Sequence, residues 1–351
     1  MEILKTFLII VATVFGFGLL IFIHELGHFT VARLCRVGIE EFSIGMGPTL
    51  FSKVSEKSKI KYSIRALPIG GYVNMLGEDG DSKDDRAFCN KSVWKRMLIV
   101  LAGPFMNLLL GFILMSIIVL SQQTLISTTI GGFADNAVSD DKLKVGDVIV
   151  AVDGTPVFTG NDAAYEIMNQ GYEPIDVKIK RDGQLYIVKD VSFGQFTDSG
   201  VVFGECDVKF YAEAKTPVNL LKQIFFRSLS TVKMITDSIV SLVTGRFGLD
   251  AVSGPIGVVE AVNDAANDAQ GRTAAYYLYF AALLSVNLGV FNLIPFPALD
   301  GGRFAFLLVE AIRRKPVKKE VEAYVNFVGI AILFGLMIFI MGKDILNLFK
   351  G

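Results

Sequence analysis

The sequence predicts a polytopic α-helical membrane protein with four transmembrane helices and a mainly-β domain inserted between the second and third. Three observations predict it. Of the 351 residues 52% are apolar and mean hydropathy is +0.50, yet 20% are charged, a mixture that fits membrane spans joined to a water-exposed portion. Four stretches, roughly 3–24, 97–120, 276–296 and 324–342, approach the ~20 mostly apolar residues a helix needs to cross a bilayer. Between the second and third lie short alternating runs separated by Asp-Gly turns, the pattern of strands rather than helices.

The first span leads straight into HELGH, residues 24–28, with no A-x-A-type cleavage site, so it reads as a span and not as a removed signal peptide. Positive charge sets direction. Residues 30–96 hold twelve Lys/Arg and residues 301–323 hold six, so both loops are expected in the cytoplasm. The N-terminus, the long 121–275 region and the C-terminus are then expected outside. Spans one and three both run inward, bringing HELGH and NLIPFPALDGGR (292–303) to similar depth.

The chain has only two histidines, His24 and His28, four apart and therefore on one helical face where both imidazoles can reach one ion. Glu25 lies beside them, placed to act as general base on an activated water. Ionisable groups at a membrane-span end are costly and are functional by default. A catalytic zinc usually takes three protein ligands and keeps one position for water. With no third histidine, the third ligand must be a carboxylate. Glu40 and Glu41 would require the chain to fold straight back. Asp300 is the better candidate, since Pro295 and Pro297 break span three just before it. The bland alternative is that Asp300 N-caps a helix beginning near Gly301.

Other classes find little support. Net charge is −1 and no basic stripe interleaves with aromatics, so no nucleic-acid partner is expected. Cys35, Cys89 and Cys206 show no C-x-x-C spacing and support neither a disulfide framework nor a thiolate site. Two strand-like runs in 42–75 predict a hairpin. Residues 121–210 read as strands with one helix near 161–170 and turns at Asp153-Gly154 and Asp182-Gly183. In the 211–275 linker region, residues 217–245 carry apolar positions at helical spacing. They predict an amphipathic helix that either lies on the outer membrane face or packs against the outside domain.

With these residues in view, the chain resembles the site-2 protease family of intramembrane zinc metalloproteases in its bacterial form. The resemblance rests on HELGH, AGPFMN (102–107), SGPIG (253–257) and NLIPFPALDGGR, in the order span, span, domain, span, span. It implies Zn2+ held by His24, His28 and Asp300, with Glu25 catalytic. It also implies that Asn287 and Asn292 handle the substrate backbone and that Pro295 and Pro297 form the helix break. LKVGDVIVAVDGTPV (143–157) resembles a PDZ domain, which would capture chain ends near Gly131-Gly132 or act as a size filter. The 42–75 hairpin would dip toward the site. Implied substrates are single-span membrane proteins already cut outside, such as anti-sigma factors, or remnant signal peptides, in the lipid bilayer of the bacterial cytoplasmic membrane. A non-catalytic membrane scaffold and a proton-coupled transporter are the competing readings; the intact HELGH and LDGG argue against the first. The absence of repeat symmetry argues against the second.

Overall fold

Nothing in residues 2–34 interrupts a helix, since the run has no proline, and in the computed structural model α1 spans Glu2–Leu34. The structure describes residues 2–78, 80, 82–198, 200–248 and 273–348. SGPIG lies outside these residues. Two units are distinguished, residues 1–111 with 253–351, and residues 112–252. Among the described residues four helices are long and apolar enough to cross a membrane: α1 (from Val14), α2 (Val93–Ser121), α5 (Thr273–Leu293) and α7 (Lys319–Leu348). This is a multi-pass membrane protein with a β-rich portion.

In the first unit, β1 (Ile39–Val54) and β2 (Lys61–Met75) form an antiparallel hairpin. Its core face packs on α1, with Phe42 edge-on to Phe22 at 5.8 Å and to Phe29 at 5.1 Å between ring centroids. The sequence places HELGH at a span end, but α1 runs six residues beyond His28. Polarity lowers hydropathy there without breaking the backbone ladder, so the motif lies inside a rigid helix. α5 stops at Leu293, ahead of Pro295 and Pro297, and α6 (Asp300–Arg313) begins after a short irregular segment. Two ion pairs hold α6 against the first half of the chain, Arg303 with Glu78 and Arg96 with Glu310. α7 buries little of itself: Phe327, Phe334, Ile338 and Phe339 are exposed, as on a helix solvated by lipid.

In the second unit the sheet order is β10-β3-β4-β6-β7, every pair antiparallel, with β5 added to β4. The strands are β3 (Leu125–Phe133), β4 (Val148–Val152), β5 (Thr155–Pro156), β6 (Ile175–Arg181), β7 (Gln184–Val191) and β10 (Val208–Glu213). A separate pair, β8 (Gly194–Asp198) and β9 (Val201–Glu205), has no counterpart in the sequence reading. Both residues of Asp153-Gly154 and of Asp182-Gly183 have positive φ, the geometry that tight two-residue hairpin turns require. α3 (Gly160–Gln170) opens with a reciprocal capping box between Thr159 and Asp162. Ile130, Ile149, Val152, Ile167, Val177 and Ile179 form its core. Gly131 and Gly132 lie within β3 opposite β10, Gly132 paired to Lys209 and Gly131 at a shift of register before Ile130, so both sit in a strand instead of an open loop. α4 (Pro217–Val243) follows.

Buried Asp207 accepts from Val138 N (2.7 Å), Ser139 N (3.0 Å) and Ser139 Oγ (2.6 Å). Asp207→Ala strands all three donors and is expected to destabilise this unit by about 2–3 kcal/mol. A lowered midpoint of protease-resistant fluorescence melting checks it.

Candidate metal centre

The site is assembled from residues of α1, the first part of α2 and the start of α6, all within the first unit. Helical spacing stacks His24 and His28 one turn apart, with ring centroids 4.8 Å apart. Both are buried. Asp300 is the first residue of α6. The cap position is Leu299, and no side chain caps this helix. The carboxylate turns to the histidines instead, with Oδ2 3.0 Å from His24 Nε2 and 3.3 Å from His28 Nε2. The two Nε2 atoms are 3.1 Å apart.

These distances test the site for zinc. Ligand atoms ~2.0–2.1 Å from a tetrahedral ion stand about 3.3 Å from one another. The three donors form a triangle of nearly that size, with one tetrahedral position uncommitted. The proton arrangement agrees. His28 Nδ1 lies 2.8 Å from Ile99 O, a carbonyl that can only accept, so Nδ1 donates. In the neutral ring Nε2 is then a bare lone pair aimed at an anionic oxygen. Oδ2 itself is inaccessible and has no hydrogen-bond donor. Lone pairs and a carboxylate converging in this way require a positive centre among them.

Glycine and asparagine of α2 shape the remaining wall. A Cβ at Gly103 would collide with Nε2 of both histidines, so only glycine leaves room for the imidazoles. Gly27 likewise allows α1 to approach the Ala102 carbonyl of α2. Asn107 is fully buried, and its amide lies 3.1 Å from His24 Nδ1. As oriented, Nδ2 faces the ring while Oδ1 is left without a partner. Turning the amide by half a rotation lets Oδ1 accept from His24 Nδ1–H, and His24 Nε2 keeps its lone pair for the ion. The backbone carbonyl of Asn107 accepts from Ser285 Oγ of α5 at 2.8 Å. Sequence reasoning quoted AGPFMN but assigned these residues no role. The signal was a glycine and an amide one helical turn apart, opposite a metal motif.

Glu25 lies between the histidines on α1. β2 runs beside it: a Cβ on Gly71 would stand 3.2 Å from Glu25 Cγ. Glu40 and Glu41 are engaged elsewhere, Glu41 with Arg65 (3.0 Å) and Lys61 (3.4 Å), Glu40 with Asn74 (3.1 Å). Asn292 lies in the last turn of α5, with Asn287 earlier on the same helix, both half-buried. Pro295 and Pro297 occupy the break between α5 and α6, where Ala298 adopts a positive φ and its N–H donates to Asn326 Oδ1. The hairpin and α1 also enclose a groove of about 990 Å³, lined by Phe22, Leu26, Phe42, Ile44 and Tyr62.

Known proteins resemble this chain in sequence. A protein of Clostridium acetobutylicum named as a zinc metalloprotease is 37% identical over 97% of this chain and 98% of its own length. The regulator of sigma-W protease RasP of Bacillus subtilis is 30% identical, covering 97% of this chain and 99% of its own. A RasP zinc metalloprotease of Geobacillus kaustophilus is 29% identical over 97% and 98%. The family model described as Peptidase family M50 matches residues 12–336, a range that takes in both histidines and Asp300. The chain belongs to peptidase family M50, the site-2 protease family, and is a zinc metalloprotease.

Proposed function

We propose that this metalloprotease cuts peptide bonds in or beside the transmembrane segments of other membrane proteins, with His24, His28 and Asp300 holding Zn2+ and Glu25 as general base. The supporting observation is the triangle of three donors with sides of 3.0 to 3.3 Å, built into membrane-spanning helix α1 and the start of α6. Bound zinc would bring the pKa of a water toward neutrality and polarise the scissile carbonyl. The Glu25 carboxylate accepts the proton of the attacking water and returns it to the departing amide nitrogen. Asn287 and Asn292 hold the substrate backbone. Pro295 and Pro297 keep the segment before Asp300 irregular, so that its carboxylate reaches the histidines.

A transmembrane substrate must be locally unwound before cleavage, because a helix shields its own peptide bonds. The β1–β2 hairpin, passing Glu25 at Gly71, is suited to hold the unwound stretch as an added strand. The β-rich unit acts as a PDZ domain outside the cytoplasmic membrane, with both termini on that side. The substrates are single-span proteins already cut outside, of the anti-sigma-factor or remnant signal-peptide type. The test is reconstitution in liposomes with a model single-span substrate, full-length or lacking its outside domain. Cleavage of the shortened form, stopped by a zinc chelator and restored by added Zn2+, is the expected result. Equal cleavage of both forms removes the requirement for prior cutting; no metal-dependent cleavage favours the scaffold reading.

Asn107 supplies a sharper check. If its amide oxygen orients His24, Asn107→Asp keeps an acceptor, whereas Asn107→Leu removes it. The leucine variant is expected to lose zinc affinity by about 10–100-fold and the aspartate variant to retain it, measured by competition with a chromophoric chelator. Loss in the aspartate variant as well would assign Asn107 the donor role.

A further inference from the structure

The C-terminal end of α1 is closed by two backbone bonds, Val37 N to Ala32 O (2.9 Å) and Arg36 N to Arg33 O (3.0 Å). This pairing needs a left-handed residue just past the helix, where glycine is usual. Arg36 holds the position, at φ 57°. The turn between β1 and β2 makes the same exchange: Lys59 N donates to Ser55 O (2.8 Å), and Lys59 stands at φ 59°. A side chain is disfavoured in this conformation because its Cβ crowds the following carbonyl. Glycine would form both turns without that cost, so the turns themselves do not call for a basic residue. Arg36 and Lys59 line one pocket of about 550 Å³, within the roughly 300–1,000 Å³ of small-ligand sites. Its charged residues are Arg33, Arg36, Lys59 and Arg86 against Glu40 and Asp84. Asp84 is taken by Arg86 (2.8 Å), and Glu40 accepts from the Asn74 amide (3.1 Å). Among the described residues no carboxylate pairs with Arg33, Arg36 or Lys59. Cations gathered around one concavity concentrate anions there.

Depth identifies the anion. The membrane-crossing part of α1 runs from Val14 to Leu34, so Arg33 lies in its last turn and Arg36 two residues beyond. That is the level of the lipid headgroups, where basic pockets beside spans take up phosphate-bearing lipids. Arginine presents a planar fork of donors that matches two phosphate oxygens, and lysine adds a point charge. Ser58 lines the same pocket and carries a hydroxyl able to donate. We infer that this pocket binds the phosphate of an anionic phospholipid among Arg33, Arg36 and Lys59. The phosphate bridges the end of α1 to the β1–β2 turn, and so steadies against its span the hairpin that passes Glu25. This inference needs α1 to cross the membrane but makes no use of catalysis, so it survives a failure of the proteolytic reading.

The experiment titrates the full chain, delipidated in a neutral detergent, with phosphatidylglycerol or phosphatidylcholine and counts bound lipids by native mass spectrometry. The first phosphatidylglycerol is expected to bind at least about tenfold more tightly than the first phosphatidylcholine. Arg36→Gly with Lys59→Gly removes both charges yet suits the left-handed backbone, so the fold is kept, with circular dichroism as the check. This variant should bring the two lipids within about twofold of each other, and Arg36→Gln with Lys59→Gln should match it. Lys83→Gln with Lys95→Gln takes the same charge from exposed residues outside the pocket and should keep the preference. Equal loss of preference in that control would mean a diffuse response to net charge and overturns the inference. So does undiminished phosphatidylglycerol binding in the two pocket variants. Inorganic phosphate and glycerophosphoglycerol, at the concentration of the lipid, should not displace it; displacement would assign the pocket to a soluble anion and equally overturn the lipid assignment.

Discussion

Glu25→Gln abolishes cleavage of a reconstituted single-span substrate while leaving about one equivalent of zinc bound. The side chain keeps its size, and the three convergent donors do not include it, so the metal should stay. What is lost is a carboxylate able to take a proton from water and return it to the leaving nitrogen, a contribution typically worth about 10²–10⁴-fold. With Gly71 packed beside it, Glu25 has little room to be replaced by another base from β2. Single-turnover cleavage measured with metal content on the same sample checks both halves. Zinc loss in Glu25→Gln would make Glu25 a ligand; undiminished cleavage would remove it from the chemistry.

Asp300→Ala is expected to empty the site. A zinc site releases about 10–16 kcal/mol on metal binding, shared among its ligands, so deleting one ligand should cost roughly 3 kcal/mol or more, at least a hundredfold in affinity. It also leaves His24 Nε2 and His28 Nε2 facing each other across 3.1 Å with no anion beside them. Asp300→Asn separates charge from shape: a neutral oxygen in the same place should hold zinc more weakly than Asp but better than Ala. Metal analysis after dialysis against a graded chelator series gives the order. Unchanged zinc content in Asp300→Ala would exclude the α6 carboxylate from the centre.

A third expectation concerns a group outside the spans. Burial pushes the Cys206 thiol up to about 11 from an ordinary value of 9.0, against a smaller opposing effect of a backbone hydrogen bond with Val208. Only the thiolate reacts, so the folded chain should alkylate slowly at Cys206 at pH 8 and faster as the pH approaches 11. Mass spectrometry of maleimide-treated protein over that range measures it; prompt labelling at pH 8 would contradict the burial.

Much of the site was legible because it depends on local geometry. Two histidines four apart must share a face once the segment is helical, and the prolines before Asp300 had to end α5. The four apolar helices and the β-rich portion followed from composition and alternation. The ten-residue tail of α1 after His24 was not legible, because hydropathy falls where the helix does not. The β8–β9 pair was not legible because neither strand alternates: β8 is almost wholly exposed, and β9 buries only Val201 and Gly204.

Unaided, the amino-acid order determined which segments prefer lipid, which side chains can ligate a metal, and which carboxylates were available to complete the set. It ranked Asp300 above Glu40 and Glu41 but could not show where any of these carboxylates lies. Packing shows it, pairing Glu41 with Arg65 and Lys61 and bringing the first residue of α6 to the histidines. Nor could the order of residues give Asn107 its place beside His24, or bring Arg36 and Lys59 to one pocket. Such facts depend on contacts between residues far apart in the chain, where periodicity carries no information and only the fit of one helix against another decides.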